Sequence, residues 1–328
     1  MRVAILHDDV ASRPESAPDE LGVLEAVEAV DVALRDLGHA PVRVEVGHAL
    51  ERWTGRLADT AAELVFNLCE ALAGRTAHEA RVAAVVELLG LPMTGSPSDV
   101  LALAGRKDRV NALLAAAGLP VPVWAAADAP NASCWWRFPA IVKPAGEHAS
   151  VGITSHSVAA NASELDAALA AAAAHAPLLI QDFVGGRELN VGIVGDEVLP
   201  IGEIEFGGFP EGAWPVVSYE AKWAPGSAED LATTPRCPAD LDPALAQEAR
   251  GLALAAWRVV GGRGYGRIDL RADADGRLFV LDVNPNPDLA PSAGLTRMAA
   301  AAGWGYAELI RRVVASATPG EGGAEASR

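Results

Sequence analysis

The sequence predicts an α/β protein made of three consecutive units, and three observations support this prediction. The chain has 328 residues and is half hydrophobic, which allows two or three domains with a sizeable core. Residues 1–104 alternate apolar runs typical of strands with amphipathic runs typical of helices. Near the other end, two alternating runs flank the turn Asp273–Gly276, which predicts a β-hairpin.

The first unit, residues 1–104, is predicted to form a parallel sheet with helices on its faces. Its elements are a strand at Val3–Leu6, a helix at Leu21–Leu37, strands at Pro41–Val46 and Ala62–Leu68, a helix at His78–Leu89 and a short strand at Pro92–Gly95. Ligands of such sheets bind beyond the carboxyl ends of the strands. We therefore expect a ligand near His7-Asp8-Asp9, near Asn67 with Glu70, and near the Gly74–Glu79 loop. The acidic stretch Ala11–Glu20 is predicted to be a surface loop that could face a substrate.

The second unit spans residues 105–184 and the third spans residues 185–318. The second is predicted to contain a helix at Lys107–Ala117, a strand at Phe138–Pro144, a small-residue loop at Ala145–Gly152, a helix at Ser163–Ala174 capped by Ser163, and a strand at Leu178–Val184. The third is predicted to contain a hairpin of Glu188–Val194 and Val198–Ile204, an irregular segment at Glu205–Asp240, a helix at Ala244–Val260, the second hairpin, a Pro- and Ala-rich loop, and a helix at Tyr306–Val314. Residues 319–328, rich in Gly, Glu and Ala, are predicted to be a disordered tail.

Charge and composition exclude several classes of partner. The net charge of −17 argues against binding to a nucleic-acid backbone or an anionic membrane surface. No apolar stretch reaches the length of a transmembrane helix, and Met1–Asp9 becomes acidic too early for a signal peptide. The three cysteines, Cys69, Cys134 and Cys237, lack the spacing of a metal site or a disulfide framework. We therefore expect a cytoplasmic protein that acts on small molecules.

The C-terminal hairpin gathers polar side chains that could bind a metal ion. Residues two apart on a strand share a face, so Arg267 points with Asp269, and Asp282 points with Asn284. Two carboxylates and an amide oxygen on one face suit Mg²⁺, which is usually bound by one or two carboxylates together with substrate phosphates. The alternative interpretation is the ordinary polar outer face of a hairpin.

The sequence contains only three lysines, Lys107, Lys143 and Lys222. Lys143 ends a predicted strand, and the loop after it contains Ser150 and Gly152, so an ammonium group and backbone N–H groups could face a phosphate. This is not a P-loop, because Gly-x-x-x-x-Gly-Lys-Ser/Thr does not occur in the sequence. The alternative for Lys143 is a solvated lysine at a sheet edge.

The strand that contains Gln181, Phe183 and Val184 precedes Glu188. Its backbone groups could bind the edge of an adenine, and the Glu188 carboxylate could bind ribose hydroxyls. The alternative for Glu188 is a solvated loop carboxylate.

The order of these parts resembles the ATP-grasp fold, and the finer resemblance is to the D-alanine–D-alanine ligase family. Four motifs carry it: Ile-Val-Lys-Pro…Ser-Val-Gly, Tyr-Glu-Ala-Lys-Trp, Gly-Arg-Ile-Asp and Leu-Asp-Val-Asn-Pro-Asn-Pro. The resemblance covers nearly the whole chain in order. It implies an N-terminal preATP-grasp α/β domain at residues 1–104, a small central α+β domain at 105–184, and a C-terminal antiparallel α+β domain with the metal site at 185–318.

The resemblance also implies a role for each matching residue. Lys107 and Lys143 would hold the ATP phosphates, and Lys222 would close over them. Ser150 and Gly152 would lie in the phosphate-covering loop, Gln181, Phe183 and Val184 would bind adenine, and Glu188 would bind ribose. Asp269, Asp282 and Asn284 would bind two Mg²⁺ ions, for which Mn²⁺ could substitute, and Arg267 would stabilise the acyl phosphate and the later tetrahedral intermediate.

Departures from the family pattern concern the substrates. The family's second metal carboxylate is commonly Glu, where this sequence has Asp282. The N-terminal family motifs that hold the first amino acid are missing, and the candidates that replace them are Glu15, Glu20, Glu70 and Glu79. The run after Asn284 contains Asp288, which could favour an amine-bearing second substrate or be a solvated turn residue.

The sequence therefore predicts an ATP-dependent carboxylate–amine ligase that works through an acyl phosphate and has altered amino-acid specificity. Three alternatives remain open: a genuine D-alanine–D-alanine ligase, a carboxylate kinase or transferase that stops at the phosphorylated intermediate, and a non-catalytic nucleotide-binding regulatory protein. Family members are often dimers through the N-terminal domain, so the resemblance implies a homodimer, although no residue of the sequence shows it.

Overall fold

The computed structural model describes residues 1–10, 18–72, 74–128, 135–209 and 212–317, and of residues 18–20 it describes the backbone only. Glu15, Cys134 and the predicted tail at 319–328 lie outside the described residues. Glu20 is described only as part of a helix backbone, so its predicted contact with a substrate stays a prediction.

The N-terminal part of the chain forms a parallel three-stranded sheet in the order β2-β1-β3. The elements of this part are β1 (Arg2–Asp8), α1 (Pro18–Asp36), β2 (Ala40–Val46), α2 (Leu50–Asp59), β3 (Leu64–Asn67), α3 (Glu79–Leu88) and α4 (Ser98–Ala104). The predicted strands and the parallel arrangement are confirmed for β1 to β3. The strand predicted at Pro92–Gly95 is wrong, because only Met93 forms a bridge there, to Val65. The loop predicted up to Glu20 ends earlier, since α1 begins at Pro18, a residue that suits the first turn of a helix.

The central part forms an antiparallel four-stranded sheet in the order β4-β7-β5-β6. Its elements are α5 (Lys107–Ala116), β4 (Trp124–Ala126), β5 (Ala140–Pro144), β6 (Val158–Ala159), α6 (Ala162–Ala172) and β7 (Leu178–Asp182). The cap predicted at Ser163 is wrong, because the side chain of Asn161 accepts the hydrogen bond from the backbone N–H of Glu164 at 3.1 Å. Asn is at least as good an N-cap as Ser, and Glu164 also accepts a hydrogen bond from Ala160 N at 2.7 Å.

The C-terminal part forms a six-stranded antiparallel sheet in the order β11-β10-β8-β12-β13, with β9 also paired to β8. Its strands are β8 (Arg187–Val194), β9 (Glu197–Val198), β10 (Gly202–Phe206), β11 (Thr233–Arg236), β12 (Tyr265–Ala272) and β13 (Leu278–Asn284). Its helices are α7 (Tyr219–Trp223), α8 (Ala228–Leu231), α9 (Pro243–Val259), α10 (Gly294–Ala301) and α11 (Tyr306–Ala315). The predicted hairpin of β12 and β13 is confirmed. The predicted strand at Val198–Ile204 is divided into β9 and β10, both of which pair with β8. The segment predicted to be irregular contains α7, α8 and β11, and the predicted Pro- and Ala-rich loop ends in α10.

A shared core joins the two ends of the chain. Val23 and Val30 of α1 pack in one buried cluster with Leu289, Leu295 and Met298, which follow the C-terminal hairpin. Burial of these side chains fixes the N-terminal sheet over the end of β13, where the predicted metal residues lie. Each of the three sheets falls within one predicted unit, and the exact domain boundaries stay a prediction. Among the described residues, no helix is both long enough and apolar enough to cross a membrane.

Candidate active site

The hairpin of β12 and β13 brings four predicted side chains together. Arg267 lies opposite Asn284 and Asp269 lies opposite Asp282 in the strand register. Arg267 donates two hydrogen bonds to the Asp269 carboxylate, at 2.7 and 2.8 Å. The amides of Asn190 and Asn284 donate to the same carboxylate at 2.8 and 3.0 Å. Asp269 is therefore the centre of a part-buried polar network that orients its neighbours.

Asp282 forms an ion pair with Lys107 at the start of α5. The distance from Lys107 Nζ to Asp282 Oδ2 is 3.2 Å, and the same ammonium donates to the carbonyl of Glu147 at 2.8 Å. Burial alone would raise the pKa of Asp282, but Lys107, His148 and Lys143 outweigh it and hold the pKa below its usual value. Asp282 is therefore ionised at neutral pH and available to a cation.

The oxygen atoms on this face fit a magnesium site. Within the described ranges, no three His, Cys, Asp or Glu side chains form a group that could hold a metal ion. The set here instead consists of the Asp269 and Asp282 carboxylates and the Asn284 amide, whose nitrogen faces Asp269 and whose oxygen remains available as a ligand. Mg²⁺ needs only one or two carboxylates from the protein when phosphates complete its shell. The assignment of these three ligands stays a prediction.

The loop after β5, which is predicted to cover phosphates, contains three residues with left-handed backbone. Ala149 and Ser150 have φ angles of +54° and +63°, and Gly152 has a φ angle of +73°. Left-handed backbone at residues other than glycine is unfavourable and is concentrated at functional sites. A Cβ at Gly152 would lie 2.7 Å from Pro144, so this position requires glycine. The Ser150 hydroxyl donates to the carbonyl of Val217 at 2.9 Å, which ties the loop to the segment that precedes α7.

The segment that carries Lys222 lies against the same loop. The backbone N–H of Tyr219 donates to Ile153 at 2.8 Å, and the indole N–H of Trp223 donates to Ala149 at 3.0 Å. Burial lowers the pKa of Lys222, as does Arg267, while Asp269 opposes the change. Residues 212–223, which we call the closing segment, thus carry the third lysine to within electrostatic reach of Arg267 and Asp269. The role of Lys222 in covering the phosphates stays a prediction.

Arg271, which the sequence analysis missed, contacts residues that are predicted to bind adenosine. Glu188 lies on β8 opposite Arg271 of β12, and Arg271 donates to its carboxylate at 2.8 and 3.1 Å. Phe183 lies edge-on to Trp214, with ring centres 5.3 Å apart. The carbonyl of Val184 accepts a hydrogen bond from Arg271 at 3.0 Å. Arg271 therefore links Glu188 and Val184, two of the residues predicted to bind adenosine.

Helix α3 of the N-terminal part adds a buried acid to the site. Asn286 donates to Glu79 Oε1 and to the Cys69 carbonyl, both at 3.0 Å. Burial raises the pKa of Glu79 to about 8, so its carboxyl group is mostly protonated at neutral pH. Glu70 also lies at this junction, where its backbone N–H donates to Asp8 at 3.2 Å. Glu70 and Glu79 are thus placed near the C-terminal strand ends, and their contact with a substrate stays a prediction.

Two further groups complete the electrostatics of the cleft. Asp288 is exposed. Desolvation of its carboxyl group raises its pKa, as does Glu25, while Arg267 and Lys222 lower it. Its side chain accepts a hydrogen bond from Ala290 N at 2.7 Å. His148 was not predicted; burial, together with Lys107, lowers its pKa to about 4, so its imidazole is neutral at physiological pH.

Three of the missed residues follow the same spacing as the predicted ones. Asn190 lies two residues after Glu188, Arg271 two after Asp269, and Asn286 two after Asn284. Side chains two apart share a face of a strand, so extending the alternation by one step would have found Asn190 and Arg271, and would have suggested Asn286 just beyond β13. No sequence pattern indicates His148, whose pKa is lowered by burial in the folded protein.

The charge on Lys143 leads to a testable pH dependence. Its ammonium lies 3.1 Å from the Gln181 side-chain oxygen, and burial lowers its pKa to about 8, although Asp282 opposes the change. Only the protonated form attracts phosphate, so affinity for ATP should fall as pH rises through about 8. Calorimetric titration with Mg-ATP at pH 6.5 to 9.5 measures this effect. Lys143→Arg is the control, because Arg stays charged over this range; a wild-type affinity as flat as that of this variant would contradict the prediction.

Comparisons with known proteins show the family of the chain. The family model described as D-ala D-ala ligase C-terminus matches residues 113–315. A D-alanine–D-alanine ligase of Dechloromonas aromatica is 37% identical over 249 residues, which are 74% of this chain and 78% of the relative. One of Gloeobacter violaceus is 31% identical over 322 residues, 96% of this chain and 98% of the relative.

Solved structures show the same fold over almost the whole chain. The D-alanine–D-alanine ligase of Bacillus anthracis, complexed with ATP, gives a TM-score of 0.73 at 19% identity and covers 96% of this chain and 97% of that one. The VanG D-Ala:D-Ser ligase of Enterococcus faecalis gives 0.73 at 20% identity, with coverage of 96% and 98%. The fold and site thus define an ATP-grasp ligase, an ADP-forming enzyme that makes carbon–nitrogen bonds. More particularly, the chain belongs to the D-alanine–D-alanine ligase family.

Proposed function

We propose that the protein activates a carboxylate substrate as an acyl phosphate and joins it to an amine, with amino-acid pockets that differ from those for two D-alanines. The observation that supports the chemistry is the convergence of Arg267, Asp269, Asp282 and Asn284 with the network around Lys107. Phosphoryl transfer requires mainly positioning and charge neutralisation, which this arrangement can provide.

Each residue of the site has a role in the proposed reaction. Lys107 and Lys143 bind the triphosphate, and Asp269, Asp282 and Asn284 hold two Mg²⁺ ions, which neutralise charge on the phosphates when bound. Lys222 covers the phosphates from the closing segment. The contacts of the closing segment with the loop after β5 exclude water and so protect the acyl phosphate from hydrolysis. Arg267, held in place by Asp269, presents its remaining donors to the acyl phosphate and to the tetrahedral intermediate.

Altered specificity rests on the acids that line the amino-acid side of the cleft. Asp288 is exposed and interacts electrostatically with Arg267 and Lys222. Glu79 is buried and hydrogen-bonded to Asn286. Asp288 is placed to recognise an amine on the second substrate. The protonated Glu79 favours contact with a neutral polar group of a substrate. The second candidate is a genuine D-alanine–D-alanine ligase, favoured by the names and identities of the relatives.

The test is ADP release with Mg-ATP over a panel of single and paired amino acids of both configurations, with product masses measured by mass spectrometry. We expect ADP release for a pair other than D-alanine with itself, and a product mass equal to the two substrates minus water. Dipeptide formed from D-alanine alone, at the highest rate in the panel, would establish the second candidate instead. Phosphate release without any amine would show a kinase or transferase.

A further inference from the structure

Arg271 is a buried cation with no role in the chemistry described above. It lies on β12, two residues beyond Asp269, and is 2% exposed. Its guanidinium lies 5.4 Å from the ring centre of Phe183 and 4.8 Å from that of Phe206. A buried guanidinium requires several hydrogen-bond acceptors to offset the loss of water.

Those acceptors come from three different segments. Nε and Nη2 donate to Glu188 Oε2 on β8, at 3.1 and 2.8 Å. Nη1 donates to the carbonyl of Val184 at 3.0 Å, in the connection between β7 and β8. Nη2 also donates to the carbonyl of Pro215 at 2.6 Å, within the closing segment. One side chain thus joins the sheet, the connection between two units and the segment that carries Lys222.

The contacts with Glu188 are made on one oxygen only. Both donors reach Oε2, and no hydrogen bond to Oε1 is found within the described part of the chain. The Glu188 side chain is 15% exposed, whereas that of Arg271 is 3% exposed. Glu188 can therefore reach a ligand in the cleft, while Arg271 can act on the ligand only through its neighbours.

We propose that Arg271 is a positioning residue that turns Glu188 Oε1 towards the ribose hydroxyls of the nucleotide and couples ribose binding to the closing segment through the Pro215 carbonyl. The inference rests on the proposed function, because it takes Glu188 as the ribose-binding carboxylate. Removal of the guanidinium leaves Glu188 free to change rotamer and breaks the link between the ribose site and the segment that covers the phosphates.

The test compares binding of ATP with binding of 2′-deoxy-ATP and 3′-deoxy-ATP, each with Mg²⁺, by calorimetry. A hydrogen bond to a charged group is worth about tenfold or more in affinity, so the wild-type protein should prefer ATP to at least one deoxy analogue by about tenfold. Arg271→Met should bring this ratio to within about threefold of one. Arg271→Lys, whose single ammonium cannot reach all three acceptors, should give an intermediate ratio.

A double-mutant cycle separates positioning from general damage to the fold. Glu188→Met should abolish the preference for ATP, and Glu188→Met with Arg271→Met should have the same ratio as Glu188→Met alone. Arg271→Lys retains Glu188 and a cation at this position, so it keeps the test valid if Arg271→Met does not fold. The matched control is Arg187→Met, which removes the Arg187–Glu203 pair of the same sheet at 2.6 Å and should keep the wild-type ratio.

Hydrogen exchange in residues 212–218 tests the coupling. ATP should protect this segment in the wild-type protein and in Arg187→Met, and much less in Arg271→Met. The proposal is overturned if Arg271→Met keeps the tenfold preference for ATP or binds ATP more tightly than the wild-type protein. It is also overturned if the control variant Arg187→Met loses the preference as well. Absence of ATP binding by the wild-type protein would overturn the proposed function itself, which is a distinct result.

Discussion

Replacement of Asp282 by Ala should lower the rate of ADP formation by about a thousandfold or more while leaving the fold intact. The variant loses a predicted metal ligand, so the metal ion that would balance charge on the phosphates is held less well. It also leaves Lys107 without its carboxylate partner. It also removes the negative charge of Asp282, which favours the protonated form of Lys143, so the pKa of Lys143 would fall from about 8 to a lower value. A coupled assay for ADP with saturating substrates measures the loss, and circular dichroism checks the fold.

Two variants control this experiment. Asp275→Ala removes a solvent-exposed carboxylate from the turn of the same hairpin and should leave the rate unchanged. Asp282→Glu lengthens the side chain by one methylene to the residue common in the family, and should keep a substantial fraction of the activity. Near-normal ADP formation by Asp282→Ala would mean that the metal site lies elsewhere.

Replacement of Gly186 by Ala should destabilise the protein by about 3 kcal/mol, the sum of an unfavourable backbone conformation and a steric overlap. Gly186 has a φ angle of +92°, and a Cβ at this position would lie 2.2 Å from the backbone oxygen of Ala272. The oxygen belongs to β12 and cannot move without disturbing the sheet. Denaturant unfolding measures the change in the free energy of unfolding.

The neighbouring glycine supplies the control. An added Cβ at Gly185 meets no atom within 4 Å, and its φ angle is outside the left-handed region. Gly185→Ala should therefore change the free energy of unfolding by less than about 1 kcal/mol. Equal effects of the two substitutions would show that the connection between β7 and β8 has a different conformation from the one described.

The hairpin site could be predicted from the sequence because its physics is local. Alternation along two strands joined by a short turn fixes which side chains share a face, and Asp269 and Asp282 do lie opposite each other. Lys143 was found for a similar reason, since it ends a buried strand and precedes a loop of small residues. These inferences require no knowledge of how distant segments pack.

Contacts between distant segments could not be predicted in this way. The contact of Asn286 with Glu79 joins residues 207 positions apart, and nothing in either local pattern indicates it. Strands β4 and β6 contain three and two residues, too few for a period to be visible. The cap of α6 was assigned to Ser163 instead of Asn161 because both residues are good caps and only the backbone conformation decides between them.

The position of Asn286 has a consequence for recombination between related ligases. Tyr265 donates to the side-chain oxygen of Asn286 at 2.9 Å, while the Asn286 nitrogen donates to Cys69, just after β3, and to Glu79 at the start of α3. A chimaera that takes residues 1–104 from another ligase would keep the Asn286 side-chain N–H donor. It would lose the Glu79 acceptor unless the incoming segment carries an equivalent acid. An unsatisfied buried N–H costs about 1–3 kcal/mol, so such exchanges should succeed mainly when both sides of this contact are transferred together.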